Sequence, residues 1–195
     1  MRTRRIIRNT KPVIHIVGEG LTELYYFSHL KKLNAYRCSI TPLLFENNSI
    51  NTMEKKIKEL VQEDVYVVCV FDADVSRRNN LENEKLQALK QRYARNKNVL
   101  LCDSLQAIEY WFLLHYEDTN RYFQNAGATT KALKKYLPDY DKTRKFLENN
   151  KWIKDMLISG KLSRACELAE KYVDNGLSYS PIYQAVKILQ STKFR

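Results

Sequence analysis

The sequence predicts an α/β fold: a parallel sheet flanked by helices, followed by a C-terminal helical extension. Two observations carry that class. Up to residue 118, short and wholly apolar runs alternate with segments of helical period. Strands apolar on both sides need helices on both faces, which is the habit of parallel sheets. Beyond residue 118 the strand-like runs stop, and helical stretches follow with Gly127, Pro138, Gly160 and Gly176 to Pro181 as punctuation. The expected organisation is a basic N-terminal arm over 1–12, an α/β domain over 13–118, and a helical extension over 119–195 packed on it.

The first strand is "VIHIV" at 13–17, which runs into a Gly-Glu-Gly turn. "TELYYFSHLKKL" then reads as a helix, with Thr22 as its N-cap and Leu24, Phe27, Leu30 and Leu33 on one face. "CSITPLLF" (38–45) is the second strand, and Pro42, lacking a ladder donor, assigns it to an edge. "SINTMEKKIKELVQE" spaces Ile50, Met53, Ile57, Leu60 and Val61 as a helix does. "DVYVVCVFDAD" is a third strand ending in two aspartates. A helix over 81–96 turns Leu86, Leu89 and Tyr93 inward, and "NVLLCDS" is the fourth strand. "LQAIEYWFLLHY" (105–116) is an almost wholly apolar helix. Four helical stretches follow, at about 129–137, 141–158, 161–175 and 181–192.

With 195 residues but only five Gly and four Pro, the chain has little room for flexible linkers. Its net charge of +11, from 33 basic and 22 acidic residues, attracts polyanions, nucleic acid ahead of an anionic membrane surface. The four cysteines form no Cys-x-x-Cys pair, and Cys69 and Cys102 sit in apolar runs. That argues for reduced, buried thiols and against a zinc ribbon. After the basic "MRTRRIIRNTK" the apolar run is too short for a signal peptide. No stretch approaches the roughly 20 apolar residues of a membrane span. The expectation is a soluble, cytoplasmic protein that does not engage a membrane.

Parallel α/β sheets bind ligands at the carboxyl ends of their strands. Here two strands end in acids, one in Glu19 and the other in Asp72 and Asp74. Side chains two apart on a strand leave the same side, so Asp72 and Asp74 repel unless a cation intervenes or one is protonated. Hard cations such as Mg²⁺ take one or two carboxylates together with water and phosphate oxygens. Glu23, in the first turn of the first helix, faces the same mouth. Glu109 falls within the apolar stripe of Leu105, Ile108, Phe112 and Tyr116. Buried there, it needs a cation, a metal or a hydrogen-bond donor. His115, on the same helix, reads as a hydrogen-bonded core residue.

Taken together, "EGLTE" and "FDADV" resemble the Toprim domain, whose acids bind Mg²⁺ for phosphoryl chemistry. The Glu-Gly-x-Thr-Glu variant followed by aromatics looks more like its nuclease branches. "SLQAIEYWFLLHY" is similar to the F-E-L-W-x-L-L-H-[FY] segment of the RloB-like (AbiLii-type) proteins, which are small Toprim proteins. Ile108, Glu109, Tyr110 and Trp111 fall on the FELW positions, with His115 and Tyr116 after them. Ile and Tyr depart from that pattern around Glu109, as does "SLQA" in place of an Asn-Pro turn. "RACELAEKYVDNGLSYSPIYQAVKIL" also resembles that family's tail, so the match spans most of the chain. The resemblance implies metal ligands at Glu19, Glu23, Asp72, Asp74 and Glu109. It also implies an effector in phage-defence (abortive-infection) and restriction-linked operons, held by an AAA-type ATPase.

The expected activity is therefore Mg²⁺- or Mn²⁺-dependent cleavage of DNA or RNA, with two cations clamping the scissile phosphate. Glu19, Asp72 and Asp74 are the catalytic candidates. Glu19 would anchor both ions, with Glu23 and Glu109 on one and Asp72 and Asp74 on the other. Arg77 and Arg78 are candidates to offset transition-state charge. From Arg77 to Lys97 there are seven basic residues and two acids, so Lys85 and Arg92 join them as candidate phosphate-backbone contacts. A ribonuclease for RNA maturation and a non-catalytic nucleic-acid adaptor are the alternatives. A topoisomerase lacks room for its tyrosine domain, and the first turn lacks the G-x-G-x-x-G of a dinucleotide binder.

Overall fold

A computed structural model describes residues 12–44, 49–61, 65–73, 79–174 and 177–191, without the side chains of 42–44. Four strands, β1 (Val13–Gly18), β2 (Ser39–Leu44), β3 (Val65–Asp72) and β4 (Val99–Ser104), pair in the order β2-β1-β3-β4, all parallel. The helices α1 (Leu21–Asn34), α2 (Ile50–Leu60) and α3 (Asn80–Tyr93) alternate with them, and the short α4 (Ile108–Leu113) follows β4. The extension adds α5 (Ala126–Leu133), α6 (Arg144–Leu147), α7 (Lys151–Leu157), α8 (Lys161–Tyr172) and α9 (Ile182–Ser191). The architecture is the α/β class that the apolar strands predict.

Period-two alternation divides the sheet's side chains between two cores. Ile14, Ile16, Val68, Val70 and Cys102 join the larger one, with α1, α4 and the extension. Val17, Val67, Cys69 and Phe71 face the smaller one, with α2 and α3. From β1 the chain moves one way to β2, then crosses back over β1 to reach β3. The strand order thus reverses between β1 and β3, the crevice where open α/β sheets place their ligands. Pro42 does lie on an edge strand, β2.

Three elements differ from the sequence-based expectation. The N-cap of α1 is Gly20, extended at φ −145°, and Thr22 is buried within the first turn. Leu105 does not start a helix, because its backbone exchanges hydrogen bonds with Tyr179 at 2.9 and 3.3 Å. The apolar stripe of α4 therefore begins at Ile108. The stretch 141–158 breaks into α6 and α7 at Asn149, whose side chain accepts from the Lys151 amide at 3.0 Å. An asparagine that bonds backbone locally competes with helix continuation.

The larger core is aromatic at its centre. Trp111 Nε1 donates to Tyr26 Oη at 2.7 Å, and both residues have no exposed surface. His115 Nδ1 donates to the Trp111 carbonyl at 3.0 Å, and burial pushes its pKa down to about 4, so it is a neutral core residue. None of the four cysteines is in a disulfide, and all are buried. No described helix is long and apolar enough to cross a membrane.

Tyr26→Phe strands the Trp111 donor in an apolar core. It is expected to cost about 1–3 kcal/mol in urea unfolding, with part recovered when Trp111→Phe is added. Unchanged stability in the single variant would contradict that role for the bond.

Candidate functional site

The Gly-Glu-Gly turn is shaped by how closely α1 approaches the end of β1. A Cβ on Gly18 would fall 2.8 Å from the Cβ of Glu23, and one on Gly20 would fall 3.3 Å from Glu23 Oε2. With both positions clear, Glu23 folds back under the turn and accepts the Gly20 amide at 2.9 Å. It closes the open end of α1 from the third helical position, as an acid in a first turn can, and it is buried. Between the glycines, Glu19 reaches sideways, and its Oε2 accepts the amide of Asp72 at 3.3 Å. The ends of β1 and β3 are thereby joined through a carboxylate.

Asp72, the last residue of β3, lies on the same sheet side as Val68 and Val70. Beside it, the Ala73 amide bonds Ser104 at the end of β4, and the chain turns through Ala107 into α4. Glu109 occupies the first turn of α4 with no exposed surface. Its Oε1 accepts from Tyr140 Oη at 2.7 Å and Lys142 Nζ at 2.8 Å. Its Oε2 is buried, with no hydrogen-bond partner among the described residues.

These acids act on one another. Burial, then the charges of Glu23, Glu19 and Glu109, push the Asp72 pKa up to about 8, with Lys142 opposing. Burial raises Glu23 as well, with Glu109 adding to it. Burial works against the charge of Lys142, yet Glu109, Asp72 and Glu23 together hold that ammonium above the usual lysine range. Among the described residues, four carboxylates thus crowd the switch point around one half-exposed ammonium. Burial and Glu109 likewise push the Tyr140 hydroxyl up, so it stays a donor.

Sequence reasoning missed Lys142 and Tyr140. Lys142 falls in the stretch that reads as a helix from 141, and Tyr140 between that stretch and the punctuating Pro138. Glu19, Glu23, Asp72 and Glu109 are brought together, whereas Asp74, Arg77 and Arg78 lie outside the described residues. Lys85 pairs with Glu82 at 2.7 Å on the surface of α3. Arg92 pairs with Glu54 of α2 from the last turn of α3, some twelve residues or ~18 Å along that helix from its start at the carboxyl edge. Neither Lys85 nor Arg92 contacts the acids.

The donor set suits a hard divalent cation. Among the described residues it is all carboxylate oxygen, it carries more negative than positive charge, and Glu109 Oε2 has no hydrogen-bond donor. As the side chains stand, no three His, Cys, Asp or Glu among the described residues are gathered closely enough to hold an ion. Lys142 occupies the position of counter-charge instead.

The sequence model of the RloB-like protein family matches residues 14–189. The chain belongs to the RloB-like family. No curated protein and no solved structure matches this RloB-like chain. The matched span contains the four acids together with Tyr140 and Lys142, so the cluster is assembled wholly within the family region.

Two outcomes follow from the charge balance. Between the unfolded Asp value of 3.8 and about 8, the folded metal-free protein binds more protons at Asp72 than the unfolded chain does, and Glu23 acts in the same direction. Stability should therefore fall as pH rises through that window. Melts in EDTA should be higher near pH 5 than near pH 9, and Asp72→Asn should flatten the slope; an equal slope in that variant would exclude Asp72 as its source. Lys142→Ala should cost roughly 1–3 kcal/mol, less than a fully buried pair because Lys142 reaches solvent. Adding Glu109→Gln should recover part of that loss, and wild-type stability in Lys142→Ala would show the pair to be dispensable.

Proposed function

We propose that this RloB-like protein is a metal-dependent phosphodiesterase that cuts nucleic acid, with Glu19, Asp72 and Asp74 as its catalytic acids. The observation that carries the reading is the crowding of Glu19, Glu23, Asp72 and Glu109 at the switch point, against Lys142 as the one cation that the described residues bring there. Such an excess is costly for folding and serves a site that receives positive charge. Bound Mg²⁺ or Mn²⁺ would supply Lewis-acid stabilisation of the phosphate and a nucleophilic water at neutral pH.

The chain's own residues prepare for that. Glu19 and Asp72 present oxygens from adjoining strand ends, tied by the Asp72 amide. Glu23 is oriented by Gly20, and Glu109 by Tyr140. Those four acids, with Asp74, are the residues that would hold the cation, Glu109 once Lys142 has withdrawn. At neutral pH the Asp72 carboxyl keeps its proton in the metal-free state and gives it up when positive charge arrives. Lys142, half-exposed at the mouth, can turn from Glu109 to a phosphate oxygen and offset its charge. The +11 net charge favours approach of a polyanion.

Family membership supports the wider setting: a cytoplasmic effector of anti-phage defence acting with an AAA-type ATPase. A non-catalytic nucleic-acid-binding role is the second reading. The Glu109–Lys142 pair favours it, because one acid is already neutralised by the protein itself.

Purified protein with Mn²⁺ should cleave at least one of single-stranded DNA, duplex DNA and RNA. Glu19→Ala and Asp72→Ala should each lower the rate by about 10²-fold or more while melting as folded proteins. Wild-type rates in both variants would remove the acids from the chemistry. Binding without cleavage in the wild type would favour the adaptor.

A further inference from the structure

A cavity of about 530 Å³ opens in the helical extension. Tyr140, Phe146 and Trp152 wall it, with ring centroids 5.6, 6.1 and 6.0 Å apart in pairs. Tyr140 belongs to two sites at once, since its ring lines the cavity while its hydroxyl donates to Glu109 at 2.7 Å. The segment 138–143 is thus a partition, with the cavity on one side and the acidic cluster on the other. Lys142, on the same segment, reaches the cluster.

The size lies within the roughly 300–1,000 Å³ of small-molecule sites, and apolar walls with a few polar groups are their usual lining. Lys145 and Lys151 stand exposed at the rim, neither in an ion pair among the described residues. Two of the three lining acids are already engaged. Asp155 accepts from Tyr116 at 2.6 Å and Lys161 at 3.1 Å, and Asp141 accepts from the Thr143 amide at 3.1 Å. Asp139 is left as an acceptor facing whatever enters. The half-buried Phe146 ring, one acceptor and two rim ammonium groups match the parts of a nucleotide: a ring to stack, an exocyclic amine and a phosphate.

We infer that this cavity takes a base of a single nucleic-acid strand, stacked on Phe146, with the adjoining phosphate on Lys145 and Lys151. The inference rests on reading the acidic cluster as a nucleic-acid site, because a base seated here would hold its strand one loop away from the acids. It adds to that reading a preference for unpaired bases, since the faces of a base in a duplex are already stacked on its neighbours.

Binding in EDTA tests the cavity without any cleavage. The probes are a fluorescently labelled pentanucleotide, as DNA and as RNA, and the same strand made abasic throughout. Wild type should bind one of the base-bearing strands about tenfold more tightly than its abasic form. Phe146→Ala should lose that preference, and the double variant Lys145→Ala/Lys151→Ala should weaken both forms. The surface double variant guards against misfolding of Phe146→Ala, and melting curves check both. Equal affinity for base-bearing and abasic strands in wild type, or an undiminished preference in Phe146→Ala, would overturn the inference. No binding of either base-bearing strand by wild type would also overturn it. Cleavage under Mn²⁺ is scored separately. A base preference in a protein that cuts nothing would sink the phosphodiesterase reading alone, and cleavage without a base preference would sink only the cavity.

Discussion

Glu109 has no contact with water, and an isolated carboxylate in such a place would be too costly to keep charged. The donors that answer it come from a segment some thirty residues further on, Tyr140 and Lys142. Meeting that need pins the 138–143 segment of the extension against the carboxyl edge of the sheet. Glu23 and Asp72 then stand close enough for the same ammonium to act on them. One buried charge therefore fixes where the extension meets the sheet, which acids share a field, and which lysine guards the mouth.

Much of this architecture was open to reading from sequence because it depends on local periodicity. The apolar runs that became β1, β3 and β4 could only be strands covered on both faces. Glu19 and Asp72 could be located because a strand end is a place that a sequence marks. Thr22 misled because a hydroxyl before a helix normally caps it, whereas here Gly20 lets Glu23 do so from inside the helix. Leu105 misled because its bond to Tyr179 joins residues far apart in the chain. Lys142 was invisible for the same reason. Nothing between Asp141 and Thr143 announces a partner buried at Glu109.

The basic run along α3 shows how charge counting falls short of charge geometry. Lys85, Lys90 and Arg92 face Glu82, Asp103 and Glu54. Lys90 meets a carboxylate buried in the fold, whereas the partly exposed pairs of Lys85 and Arg92 contribute about 0–1 kcal/mol and exchange readily. Their cations are thus neither free nor firmly held, and α3 lies against the core opposite to the one that Glu109 joins. Positive charge at the acidic mouth comes, among the described residues, from the extension instead.

The late arrival of that lysine bears on how the protein is made. A ribosome delivers residues in order, at about 5–20 per second, and domains gather as they emerge. The sheet and Glu109 come out first, while the helices that cover their larger face, and the ammonium that answers Glu109, are still to be built. The last described helix, α9, packs on β4 and seals the side of the sheet that α1 leaves open. During that interval the nascent chain presents an uncovered apolar face beside unanswered carboxylates, neither of which favours early docking of the strand ends. The acids can therefore come together as a unit only once the extension has emerged, and a chain cut short before Lys142 would carry their sequence without their assembly.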